Sequence, residues 1–165
     1  LVSHDNGNTF SKIKHSIKAL EYSFYHKVFN ASDFNLPQRR PRTYMVGFRD
    51  ENKSNIEFKF PEPIPLKKDM TWVFGRKCEK KIGYTLRVGG VNSGIHDRRN
   101  WDRYLVEGED VKLNSVQARK MQGFPKDWFL SNSEAKSMKL LGNSVPVDVI
   151  SHIGKSIIKH LEKLE

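Results

Sequence analysis

The sequence predicts an α/β chain with helices towards both ends and a smaller, β-rich module in the middle. Three observations predict it. Apolar residues recur at helical spacing near both ends, in Phe10, Ile13, Ile17 and Leu20 and again in Ile150, Ile153, Ile157, Leu161 and Leu164. Two short segments beside the first of these, Tyr22–Phe29 and Tyr44–Phe48, read as strands. From Glu51 to about Leu113 the pattern breaks into short β-like pieces, rich in charge and interrupted by proline and glycine.

Taken in order, the first helix is expected over Thr9–Leu20, capped by Asn8 or Thr9. Tyr22–Phe29 alternates aromatic and polar residues, whereas "YMVGF", Tyr44–Phe48, is apolar on both faces and is expected to be buried. Pro61, Pro63 and Pro65 mark a linker. Tyr84–Val88 and Arg103–Leu113 then read as strands separated by a loop, within a module too irregular to bury a large core. Helical signals return beyond Leu113. Asn114 or Ser115 caps a short helix that ends before Gly123, and Ser131 to Glu134 reads as a capping box for a helix closed by Gly142. Pro146 falls in the first turn of a long amphipathic helix.

Composition narrows the function. The chain has 165 residues, enough for one compact domain or one domain and part of another. Lysine and arginine number 29 against 19 acidic residues, a net charge of +10 that points to a polyanionic partner, nucleic acid first. No apolar run is long enough to span a membrane. Cys78 is the single cysteine, so no internal disulfide forms and a reducing cytosol is the expected compartment. The six histidines are scattered, without the spacing of a metal site. The opening "LVSHDNGN" lacks the basic and apolar regions of a signal peptide and an initiating methionine, so the chain is expected to continue upstream.

The chemistry concentrates in "LPQRRPRTYMVGF", Leu36–Phe48. Arg39, Arg40 and Arg42 stand in a loop stiffened by Pro37 and Pro41, directly before an apolar strand. Arginine makes planar, bidentate contacts to phosphates, carboxylates and base edges and stays charged at any working pH. Such a loop is either a solvated turn or a preorganised anion or base contact, and the two prolines with Gln38 favour the second.

This loop resembles the Gln-x-Arg-x-Arg motif of the bacterial DNA (cytosine-5)-methyltransferases, the modification enzymes of restriction–modification systems. "SHDNGNTFSKI" resembles the segment before that motif, "RKMQGFP" the penultimate family motif and "GNSVPVDV" the last. Four segments in family order cover nearly the whole chain. The resemblance implies the C-terminal part of a Rossmann-like, S-adenosylmethionine-dependent methyltransferase fold, acting on double-stranded DNA in a bacterial cytoplasm. These enzymes flip the target cytosine out of the duplex. A cysteine attacks C6, a glutamate handles N3, and C5 takes the methyl group. By the resemblance Arg42 reaches O2 of the flipped base, Arg40 supports the pocket and Gln38 braces it. Asn143 and Ser144 match positions that line the cofactor pocket.

The family's Pro-Cys nucleophile motif, its glycine-rich cofactor loop and its Glu-Asn-Val motif are absent from the sequence; Cys78 lies in "GRKCEKK", which matches none of them. The resemblance therefore implies a partner, the N-terminal half of the enzyme, upstream on the same chain or as a separate subunit. Residues 1–50 would end the catalytic domain, 51–113 would form the target-recognition domain, and 114–165 would return to the catalytic domain. "YTLRVGGVNSGI" resembles the recognition loop: Thr85 would hold a phosphate, Gly89 and Gly90 would let main chain approach the major groove, and Arg87 would either read a guanine edge or be a surface arginine on a turn. In "HDRRNWDRY" the arginines either grip phosphates or pair with Asp97 and Asp102. Where the family often carries an Arg-Glu pair, this chain has Val116 and Gln117. A non-catalytic DNA-binding module is the rival reading. The apolar stripe of the last helix is expected to be covered by the large domain, so that the chain alone would be partly unfolded or self-associated.

Overall fold

The computed structural model describes residues 1–49, 56–89 and 93–164. Gly90, and the expected domain boundary at 50–51, lie outside the described residues. Two compact units emerge, one from Leu1–Phe29, Pro41–Pro61 and Ile153–Glu165, the other from Asn30–Arg40 and Glu62–His152.

In the first unit, helix α1 (Asn8–Ala19) follows a 3-10 turn at His4–Gly7. Gly7 precedes it at φ +86°, a left-handed entry that suits glycine, so neither Asn8 nor Thr9 is the cap. Strand β1 (Tyr25–Phe29) pairs antiparallel with β2 (Arg42–Val46), in the register that sets Phe29 opposite Arg42. The inward face carries Tyr25, Phe29 and Tyr44. Phe29 packs against Tyr44 and Phe60, and Tyr25 against Phe48 and Phe58. The other face carries His26, Val28 and Met45, all exposed, with the Phe10 ring of α1 4.7 Å from His26. Burial of "YMVGF" on both faces is therefore corrected: in a two-stranded ribbon, pleating sends alternate residues away from the aromatic cluster.

The second unit builds its core from the middle of the chain and the helices after it. Helix α2 (Met70–Phe74) is capped by Asp69, whose carboxylate accepts from the Trp72 amide at 2.9 Å. Strands β3 (Arg103–Val106) and β4 (Glu109–Lys112) form a hairpin. Its turn residues Glu107 and Gly108 both have positive φ, 53° and 82°, the conformation whose twist matches that of the strands. Helix α3 (Ser115–Gln122) opens on a capping box between Asn114 and Gln117, and helix α4 spans Glu134–Asn143. Met70, Val73, Leu86, Trp101, Tyr104, Val106 and Leu113 pack with Ala118, Met121 and Leu141 of α3 and α4. The middle segment does bury a core, because the helices supply the second layer that its short strands lack.

Three local expectations change. Tyr84–Val88 forms no strand; a single bridge joins Gly83, just before it, to Gln38. The box at Ser131 does not form: Ser133 caps α4, and Glu134 instead accepts from the amide (2.6 Å) and hydroxyl (2.5 Å) of Ser115. Gly142 lies within α4 and does not end it. Helix α5 (Val147–Leu161) begins in the second unit and ends in the first. Along it Val149, Ile153 and His160 are buried, whereas Ile150 and Leu161 of the expected stripe, with Leu164 just beyond, remain exposed.

Candidate active site and nucleic-acid interface

Within the second unit the arginine loop is a buried polar network. Gln38 is fully buried. Its Nε2 donates to the Met121 carbonyl (3.2 Å) and to Gln122 Oε1 (3.3 Å), and its Oε1 accepts from the Leu86 amide (3.2 Å). Gln122, also fully buried, donates in turn to the Leu141 carbonyl at 2.7 Å. Arg40 is 4% exposed. Its Nη1 donates to the Leu86 carbonyl at 2.9 Å; its Nη2 donates to the carbonyls of Gly142 (2.7 Å) and Ser144 (2.9 Å). The Arg40 amide donates to Asn30 Oδ1 at 2.6 Å. A guanidinium turned from water needs acceptors for its N–H groups, and these three carbonyls serve its two terminal nitrogens.

This explains why Tyr84–Val88 is not a strand. The amide and carbonyl of Leu86 are satisfied by Gln38 and Arg40 side chains rather than by a neighbouring strand. The Thr85 hydroxyl donates to the Arg39 carbonyl, and the Arg39 amide donates to Gly83 O at 2.8 Å. Arg87, Val88 and Gly89 follow, all exposed, with the Gly89 carbonyl held by the Trp101 indole N–H at 3.1 Å. Gly142 packs on this segment so closely that a Cβ there would stand 2.8 Å from the Arg87 oxygen.

Asn143, at the end of α4, and Val145 are exposed on either side of the half-buried Ser144. The Ser144 hydroxyl donates to the Leu141 carbonyl at 2.7 Å. Arg42 belongs to the first unit, at the start of β2. It is exposed, and its Nη1 donates to the adjacent Pro41 carbonyl at 2.8 Å. Of the loop's polar side chains Gln38 and Arg40 are thus consumed in the interior, while Arg39 and Arg42 are presented to solvent.

In "HDRRNWDRY" Trp101 and Tyr104 are core residues, and burial pushes the Tyr104 hydroxyl far up. Arg99 pairs with Asp97 at 2.7 Å, and its side-chain hydrogen bond holds the Asp97 carboxyl down at about 2. Arg103 pairs with Asp110 at 3.0 Å, and the buried Asp102 has Lys112 Nζ at 3.9 Å. Local pairing therefore takes Arg99 and Arg103, while Arg98 stays exposed. Among the described residues no group of three His, Cys, Asp or Glu could hold a metal ion, and no helix is long and apolar enough to cross a membrane. Sequence reasoning missed Gln122 and Asn30 and gave Glu134 a different partner. Gln122 lies within "RKMQGFP", the motif that carried the signal; Asn30 reaches Arg40, and Glu134 reaches Ser115, over distances that no local pattern reports.

The family model described as C-5 cytosine-specific DNA methylase matches residues 1–105 and 77–159. The chain belongs to this family. It is 32% identical over 198 residues to the type II methyltransferase M.SsoII of Shigella sonnei, covering 98% of this chain and 51% of that protein. It is 30% identical to the type II methyltransferase M.HhaI of Haemophilus parahaemolyticus, covering 94% and 59%. The chain thus spans about half the length of the curated relatives it matches. Among solved structures, a DNMT2 mutant from Spodoptera frugiperda superposes with a TM-score of 0.69 at 12% identity, covering 94% of this chain and 64% of that one. The Dnmt2 methyltransferase of S. pombe gives 0.60 at 17%, covering 99% and 63%. The fold is that of this Rossmann-like α/β methyltransferase class, represented here by its helices and small antiparallel sheets.

Proposed function

We propose that this chain is the C-terminal portion of a DNA (cytosine-5)-methyltransferase of restriction–modification type, supplying target recognition and part of the active site. The observation that carries the reading is the contrast within one motif: Arg40 is spent on backbone carbonyls, whereas Arg42 is exposed. Arg42 is the residue assigned to O2 of a flipped cytosine. A cation fixed there stabilises the electron-rich base with little reorganisation. Gln38 and Arg40 act one step back, holding at Leu86 the segment that bears Thr85 and Arg87 for DNA, with Gly89 and Gly90 as the further DNA-binding residues of this reading. The Thr85 hydroxyl proton is engaged with Arg39, so a phosphate at Thr85 would take that proton in exchange.

The segments then divide the work. Residues 1–50 end the catalytic domain, 51–113 recognise the target, and 114–165 return to the catalytic domain. S-adenosylmethionine is the cofactor and supplies the methyl group. The exposed Asn143, with the exposed Val145 two residues on, suits one wall of its pocket, offering both a polar and an apolar side chain. The partners are double-stranded DNA and an N-terminal portion with the Pro-Cys nucleophile and the Glu-Asn-Val carboxylate, in a bacterial cytoplasm.

The test is reconstitution. The purified 165-residue chain should transfer no methyl group, and adding the N-terminal portion should restore cofactor-dependent cytosine methylation of duplex DNA. Methylation by the chain alone would overturn the reading. Specific DNA binding that never yields methylation with any N-terminal portion would favour a non-catalytic DNA-binding module.

A further inference from the structure

We infer that Arg40 is a positioning residue that couples cofactor binding to DNA reading, with Gly142 as the point of contact. One guanidinium grips Leu86 O with one nitrogen and the Gly142 and Ser144 carbonyls with the other. These carbonyls flank the two working segments: Leu86 lies between Thr85 and Arg87, and Gly142 and Ser144 bracket Asn143. The backbones also touch directly, since Gly142 leaves no room for a Cβ against the Arg87 carbonyl. A close-packed contact of this kind transmits a shift, because neither side can yield without moving the other. Ligand held at Asn143 therefore sets the placement of Arg87, and by linkage DNA at Arg87 sets cofactor affinity by the same factor.

The inference rests on the functional reading above, and its test separates the two. The chain is used together with its N-terminal portion, with S-adenosylhomocysteine as the cofactor probe. Without DNA, adding the probe to the wild type should slow amide hydrogen exchange across Tyr84–Val88; an unchanged segment overturns the inference. With cognate duplex at fixed salt, the probe should raise DNA affinity about 5-fold or more. In Gly142→Ala and Arg40→Lys that ratio should fall close to one, because the alanine pushes the Arg87 segment away and a lysine cannot grip three carbonyls as a fork does. A general loss of stability would weaken binding with and without probe alike and leave the ratio intact, which would overturn the inference. Wild type that binds both ligands without coupling overturns the inference alone. Wild type that binds neither overturns the functional reading and the inference with it.

Discussion

The side chains of Gln38 and Gln122 meet at 3.3 Å with neither exposed to solvent, joining the arginine loop to the last turn of α3. Gln38→Ala would leave the Leu86 amide and the Gln122 carbonyl oxygen without these partners. Each buried polar group stripped of its bond costs about 1–3 kcal/mol, so the expected loss is about 3 kcal/mol in urea unfolding followed by near-UV circular dichroism. Gln38→Glu keeps the shape but turns a donor into a charge facing the Met121 and Gln122 oxygens. The introduced carboxyl would have its pKa raised on folding, so stability should recover as pH falls through that value. Insensitivity of the glutamate variant to pH would count against the assigned bonds.

Arg42 should behave differently from Arg40. In the protein completed by its N-terminal portion, Arg42→Ala is expected to lower single-turnover methylation about a hundredfold, the scale for losing one preorganised donor. DNA affinity at fixed salt should change little. Equal losses in rate and affinity would mean that Arg42 grips the backbone rather than the flipped base.

Cys78 is buried in the core of the second unit, and desolvation pushes its thiol up from the ordinary range. Folding therefore favours the protonated thiol. That contribution is complete below the unfolded thiol's pKa and is lost as pH rises through the folded one. Alkylation by iodoacetamide at pH 8 should be slow until denaturant is added, and Cys78→Ala should flatten the alkaline fall in stability. Rapid alkylation of the native chain would contradict the burial.

Exposed apolar surface should govern the behaviour of the chain in isolation. Trp128, Phe129 (80% exposed) and Leu140 (59% exposed) line a cleft of about 430 Å³ in the second unit. Sedimentation should find the purified chain self-associated, and Phe129→Ser with Leu140→Ser should shift it towards monomer. A wild-type chain that is monomeric and unfolds in one sharp transition would favour the stand-alone DNA-binding module.

What the sequence determined by itself is what depends on neighbours a few residues apart. Asn114 and Gln117 cap α3 reciprocally across three residues, Gly123 closes it at φ +81°, and the amphipathic pattern places α1 to within a residue; α5 starts just after Pro146 and ends at Leu161, three residues short of the expected stripe's end. The family motifs were equally legible, because each is a short run of residue types. Only the tertiary structure decided that Tyr84–Val88 is held by side chains, that Arg40 is a carbonyl clamp while Arg42 is exposed, and that Glu134 serves Ser115 of α3. Arg40 meets its partners across 46, 102 and 104 residues of chain, and Gln38 meets Leu86 across 48. Nothing in local composition distinguishes an arginine that will find three carbonyls from one that will face water. That choice depends on which backbone groups the fold strips of water and leaves to be satisfied.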